Sequence, residues 1–206
     1  MRVLITGFPP FEGCPVNPSQ HLIQALARLP APPTQAEIIT AEVPVDYVGL
    51  DSVIQQLLSE VKPQVWIAFG VGRQETPLRL ELRGVNRDHS DRPDNQGIVR
   101  KDWTISPIGP DLLETELPLA ELASLLTTSG FPSVISWDAG TYLCNHLIYR
   151  AMEQIKERRL DCQFMFVHLA PAEIGFPVEK LLFSLQIMIE WFQNRSCPAT
   201  TADTLA

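Results

Sequence analysis

The sequence predicts an α/β protein whose mostly parallel or mixed twisted sheet is covered on both faces by helices. Three observations carry this. Short apolar runs recur along the chain and alternate with segments of helical apolar spacing. Those runs are near-continuously hydrophobic, as in strands buried on both faces. The chain has 206 residues, 45% of them hydrophobic, enough for one sizeable core.

Each element has its own reason. Residues 3–6 read as a short buried strand. Residues 18–29 carry Leu22, Ile23, Leu26 and Leu29 at helical spacing, and residues 37–43 read as a second strand. In 46–60, Val53, Ile54, Leu57 and Leu58 share a helix face, with Asp46 as N-cap. Residues 65–69 are a buried strand, after which Gly70-Val71-Gly72 reads as a tight turn. Residues 78–85 alternate as one further strand, which sets Arg79, Glu81 and Arg83 on one face. Residues 117–126 are helical and stop at Ser129-Gly130-Phe131-Pro132. Residues 134–136 are short and apolar, 141–158 helical, 162–169 a strand and 177–193 a last helix. The long polar segment 86–110, rich in Pro, Gly and Asp, is of a length that in a compact domain is functional or disordered. One domain is expected over 1–195, with a fraying polar tail at 196–206.

Composition narrows the function. The net charge is -8 and the pI about 5.0, with no basic cluster, which argues against nucleic acid or an anionic membrane as partner. No apolar run approaches the ~20 residues of a membrane span. The opening, Met1 to Gly7, is too short and too soon interrupted for a signal peptide, so the expected location is the cytoplasm. Cysteines stand at 14, 144, 162 and 197 without metal-ligand spacing. No metal and no disulfide framework are expected, and Cys162 is expected to be buried.

Asp138-Ala139-Gly140-Thr141-Tyr142-Leu143-Cys144-Asn145 is the most informative stretch: a small-residue turn delivers a cysteine to a helix start. Helix N-termini carry partial positive charge and unpaired N–H groups, a setting that favours a thiolate nucleophile. Two partners are available. Phe164-Met165-Phe166-Val167-His168 ends an apolar run in a histidine, and Glu81 lies in the alternating segment. Taken alone, His168 reads as structural and Glu81 as a solvated charge paired with Arg79 or Arg83. Together with Cys144 they fill the roles of nucleophile, base and orienting acid. His146 lies two residues after Cys144 and points elsewhere. His21 and His89 have no supporting context. Phe8 and Phe11, in a Pro/Gly loop at a strand end, can wall a small pocket.

These motifs resemble pyroglutamyl-peptidase I, a cysteine peptidase family. The resemblance runs through Gly7-Phe8-Pro9-Pro10-Phe11 with Asn17-Pro18, Glu81 with Val85-Asn86, and Arg92-Pro93-Asp94-Asn95-Gln96-Gly97. It continues through Ala139 to Asn145 and closes on Phe166-Val167-His168. It implies a three-layer α/β/α sandwich of the phosphorylase/hydrolase-like class. It implies Cys144 as nucleophile, His168 as general base and Glu81 as its orienting group. Phe8 and Phe11 would sandwich a lactam ring, with Tyr142 and Leu143 near it and Asn17 beside the substrate. It implies no cofactor, a pyroglutamyl peptide as substrate, and a homo-oligomer. The sequence departs from the family pattern at Gly70-Val71-Gly72-Arg73, where the arginine comes early. Asp91 stands where the family has an arginine, with Arg92 one step later, and Ala170 precedes Pro171. Two rival readings stay open. One is a nucleoside-phosphorylase-like enzyme using Arg73 and Arg83 for phosphate. The other is a relative that binds pyroglutamyl or similar ligands without turning them over.

Overall fold

The structure, a computed structural model, describes residues 1–29, 36–72 and 78–196. Arg73, Cys197 and the tail beyond 196 lie outside the described residues. The order is β1 (Arg2–Gly7), α1 (Pro18–Ala27), β2 (Glu37–Glu42), α2 (Tyr47–Glu60), β3 (Val65–Val71), β4 (Leu78–Glu81) and β5 (Arg83–Val85). It continues with β6 (Leu112–Glu114), α3 (Leu119–Thr128), β7 (Ser133–Ser136), α4 (Leu143–Glu157), β8 (Gln163–Leu169) and α5 (Val178–Ser196).

Six strands form a mixed sheet in the order β2-β1-β3-β8-β4-β7. All neighbours are parallel except β4 with β8. The chain leaves β1 outward to β2 and returns across it to β3. Right-handed crossovers in opposite directions require helices on opposite faces. Side chains confirm the three layers. Val3 and Ile5 pack with Leu22 and Leu26 of α1, Leu122 of α3 and Leu185 and Phe192 of α5. Leu4, Trp66 and Phe166 pack with Leu50 and Ile54 of α2 and Leu147 and Ile148 of α4. The period of two along each strand thus divides the core cleanly.

Asp46 caps α2, its carboxylate accepting from Gly49 N–H. Asn17 caps α1 and Pro18 occupies its first position. Three expectations need correction. Residues 78–85 are not one strand: Leu82 N–H bonds to Ser136 O, the chain leaves the sheet, and β5 pairs with β6 in a separate two-stranded sheet. Arg83 therefore shares no strand face with Arg79 and Glu81. Gly70-Val71 is not a turn, since both continue β3 in register with His168 and Leu169. Cys162 is half-buried and precedes β8 rather than opening it.

Candidate active site

The carboxyl ends of β1, β3 and β8 open on a cavity of about 510 Å³. Each wall has a local cause. At the end of β1, Asn17 Oδ1 accepts from Ser19 N–H and from the Ser19 hydroxyl, while its Nδ2 donates to Pro9 O at 3.0 Å. Phe8 N–H donates to Ser19 Oγ. This lattice fixes the loop so that buried Phe8 and half-exposed Phe11 line the cavity. Asn17 is fully buried, and its amide is spent on holding the loop.

Cys144 is the second residue of α4. Gly140 sits at φ 77, a left-handed conformation natural to glycine, and its N–H donates to Asp138 Oδ1 at 2.8 Å. Arg79 donates to Asp138 O, and Thr141 exchanges hydrogen bonds with the His89 backbone. Tyr142 is extended at the N-cap and no side chain caps the helix, so the first-turn N–H groups lack a side-chain partner. Leu143 is buried at the base and Tyr142 donates to Pro93 O at 2.8 Å. Burial first, then the Asp94 charge, push the Tyr142 hydroxyl up to about 12, against the lowering by Arg92.

His168 stands near the end of β8 on the α4 side of the sheet, with Glu81 diagonal to it on antiparallel β4. Its Nδ1 is 2.8 Å from Glu81 Oε1, and Glu81 is only 3% exposed. Glu81 is therefore not the solvated charge of the alternative reading, although the pairing with Arg79 that it named is present. Arg79 Nε lies 3.5 Å from the same oxygen, whereas Arg83 turns to Glu114 and Trp137 O. Burial alone would lower the His168 pKa. The Cys144 charge, a hydrogen bond with Cys144 and then Glu81 outweigh it and push the ring up to about 9. With Nδ1 taken by Glu81, Nε2 is the nitrogen left for the thiol.

Sequence reasoning missed several participants. A Cβ at Gly70 would lie 2.9 Å from Cys144 Sγ and 2.8 Å from Phe166, and one at Gly72 3.3 Å from His168 Cβ. Close approach, not a turn, is what those glycines serve. Cys14, His89, Arg92 and Glu173 also line the cavity. His146 faces away, buried between Asp88 and Asp51. Among the described residues no group of three or more His, Cys, Asp or Glu side chains is placed to hold a metal ion. No helix there is long and apolar enough to cross a membrane.

A mixed α/β sheet whose strand ends hold a thiol at a helix start, beside a carboxylate-bound imidazole, defines a cysteine-type hydrolase. The comparisons with known proteins make the class particular. The chain belongs to the pyroglutamyl peptidase family, whose sequence model matches residues 1–175. Its activity is that of a pyroglutamyl-peptidase I, a cysteine omega peptidase. It is 34% identical over 169 residues to the pyrrolidone-carboxylate peptidase of Levilactobacillus brevis, covering 82% of this chain and 81% of that one. It is 35% identical over 157 residues to that of Clavibacter michiganensis, covering 76% and 72%. Among solved structures, a variant pyrrolidone carboxyl peptidase from Pyrococcus furiosus superposes with TM-score 0.88 at 26% identity, covering 96% of this chain and 100% of that one. The Fervidobacterium islandicum enzyme gives 0.86 at 26%, covering 94% and 99%. Neither the phosphorylase-like reading nor the turnover-less relative is favoured by these matches.

Proposed function

We propose that residues 1–195 form one catalytic domain that removes an N-terminal pyroglutamyl residue through a Cys144–His168–Glu81 triad. The observation that carries this is the 2.8 Å contact of His168 Nδ1 with buried Glu81, which leaves Nε2 for Cys144. The lactam ring carries no free amine and no charge, so its recognition needs apolar faces, and Phe8 and Phe11 supply them. Tyr142 and Leu143 close the base, and Asn17 acts by holding the phenylalanine loop.

Cys144 Sγ attacks the exocyclic carbonyl carbon of the pyroglutamyl residue. First-turn N–H groups of α4 receive the developing oxyanion. The C–N bond breaks as His168 gives its proton to the leaving amine, and a thioester remains. Water then gives a proton to His168 and attacks the thioester. The C–S bond breaks, pyroglutamate departs and the thiolate–imidazolium pair is restored. Glu81 holds the ring orientation and stabilises the imidazolium. The cycle uses protein side chains, backbone N–H groups and water, without cofactor or metal, and the acidic composition offers no ground for a nucleic acid or membrane partner. The reaction belongs in the cytoplasm, where a thiol stays reduced. A homo-oligomer, as the resemblance implies, is kept as part of this reading.

Cleavage of a fluorogenic pyroglutamyl amide, measured beside its prolyl analogue, tests it. Turnover of the first and not the second is expected. Equal cleavage of both would sink the lactam-recognition step.

A further inference from the structure

In the wall segment 86–102 every charged side chain but Arg92 has an ionic or hydrogen-bonded partner for its charge among the described residues. Asp88 is paired with Arg100 and His146, and Asp91 with Lys101. Asp102 is paired with Arg87 and His89, and Asp94 accepts backbone N–H groups of Tyr47, Gln96 and Ile98. Arg92 has no anionic partner among the described residues. Its guanidinium lies over the Phe11 ring at 5.3 Å.

Arg92 is presented on a fixed backbone. Its own N–H donates to Ser90 Oγ, and the nearby carbonyls of His89 and Pro93 accept from the Thr141 and Tyr142 hydroxyls of the turn before Cys144. A second cavity adjoins the first and shares Gly13, His89, Ser90 and Arg92 with it. Arg92 thus stands where the thiol cavity opens into its neighbour. A substrate cleaved after its first residue keeps that residue in the cavity and sends the rest of the chain outward.

Resting on the pyroglutamyl reading, we propose that Arg92 is a specificity residue for the leaving side, receiving the free α-carboxylate of a pyroglutamyl dipeptide. A planar guanidinium matches a carboxylate with two parallel hydrogen bonds, and the cation–π contact with Phe11 at 5.3 Å gives it a support on the cavity rim. Of the carboxylates lining the two cavities, Asp91 pairs with Lys101 and Asp138 accepts from Gly140 N–H, while Glu12 and Glu173 form no ion pair with Arg92 among the described contacts, so its donors stay open to substrate. A carboxylate that misses Arg92 meets those two negative charges instead, which sharpens discrimination.

The test compares kcat/KM for pyroglutamyl-alanine with that for pyroglutamyl-alanine amide. The wild-type protein is expected to prefer the acid by roughly tenfold, the size of one hydrogen-bonded charge contact. Arg92→Met, which keeps an unbranched stem on Phe11, is expected to bring the acid-to-amide ratio to about one or below. Arg92→Lys, which keeps the charge and loses the fork, is expected to fall between. No acid preference in the wild-type protein overturns the proposal, and so does an equal loss on both substrates, which would assign Arg92 to the lactam. Failure to cleave either substrate would instead strike the pyroglutamyl reading itself.

Discussion

At the scale of single residues, the chemistry depends on which thiol is ready to react. Burial and then Glu173 push the Cys14 thiol up, and burial and then Asp161 push Cys162 to about 12. Cys144 alone among these stands beside an imidazole held protonated. Brief iodoacetamide labelling near neutral pH, read by peptide mapping, should therefore modify Cys144 before Cys14 and Cys162. Equal labelling would deny an activated thiol. Burial lowers the His168 pKa, and the Cys144 charge is the largest of the causes that raise it, so removing the thiol should bring it down from about 9. Cys144→Ala should abolish hydrolysis by roughly 10³-fold or more and shift the His168 imidazole titration, followed by NMR, to lower pH. In the wild-type protein kcat/KM should fall as pH rises through about 9, because the leaving amine then finds no proton on His168. Glu81→Gln should lower kcat by roughly 10²-fold or more with KM nearly unchanged, since orientation and imidazolium stabilisation act in the transition state. A kcat within about threefold of wild type would leave a Cys144–His168 dyad.

At the scale of elements, what was legible followed periodicity and what was not followed contacts across the sheet. The α2 boundary was readable because Asp46 is a local cap, and the Cys144 helix because a glycine turn precedes it. The break at Leu82 was not, because alternation continues through 78–85 while the partner changes from β7 and β8 to β6. Short β6, with Leu113 its one buried residue, has too little pattern to be read ahead of its pairing. The sequence likewise offers Gly70 as a turn residue, and only the register of β3 with β8 shows why a side chain is excluded there. That exclusion makes a prediction about the β3–α4 contact. Gly70→Ala places a methyl group 2.9 Å from Cys144 Sγ and 2.8 Å from Phe166, so the thiol and the Phe166 ring must shift. Overpacking of this kind costs about 1–3 kcal/mol. Because the displaced atom is the thiol, kcat/KM should drop by at least tenfold while the far-UV circular dichroism is kept. Unchanged kinetics in Gly70→Ala would show that the thiol has room to move without penalty.

At the scale of the whole molecule, the wall of the site is tied to the body by charges buried on the α2/α4 side of the sheet. His146 is 1% exposed, with Nδ1 2.8 Å from Asp88 Oδ2 and Nε2 3.3 Å from Asp51 Oδ1. Arg100 reaches Asp88 at 2.7 Å, and Arg150 reaches Asp51 at 2.7 Å and also pairs with Glu153. These groups belong to α2, α4 and the 86–110 segment, joining the helix that carries Cys144 in its first turn to the segment that carries His89 and Arg92. None of this was readable in advance, because the partners lie 58 and 95 residues apart and neither motif nor period relates them. Burial lowers the His146 pKa, but hydrogen bonds and charges from Asp51 and Asp88 outweigh it, and the net shift is upward. A histidine raised above its unfolded value stabilises the fold fully below about pH 6.5 and loses that contribution as pH rises through the folded value. His146→Gln removes the charge and leaves two carboxylates facing the gap. Breaking a buried pair costs about 3–5 kcal/mol, and the remaining partners Arg100 and Arg150 put this case at the low end. For a chain of this size that is a Tm lower by roughly 6–12 °C. The difference from wild type should be largest below about pH 6.5 and shrink toward alkaline pH, the direction the raised pKa requires. Thermal unfolding of both proteins across that range checks it: a difference that grows with pH would mean that His146 is neutral in the folded protein and that packing, not charge, holds the wall to the body.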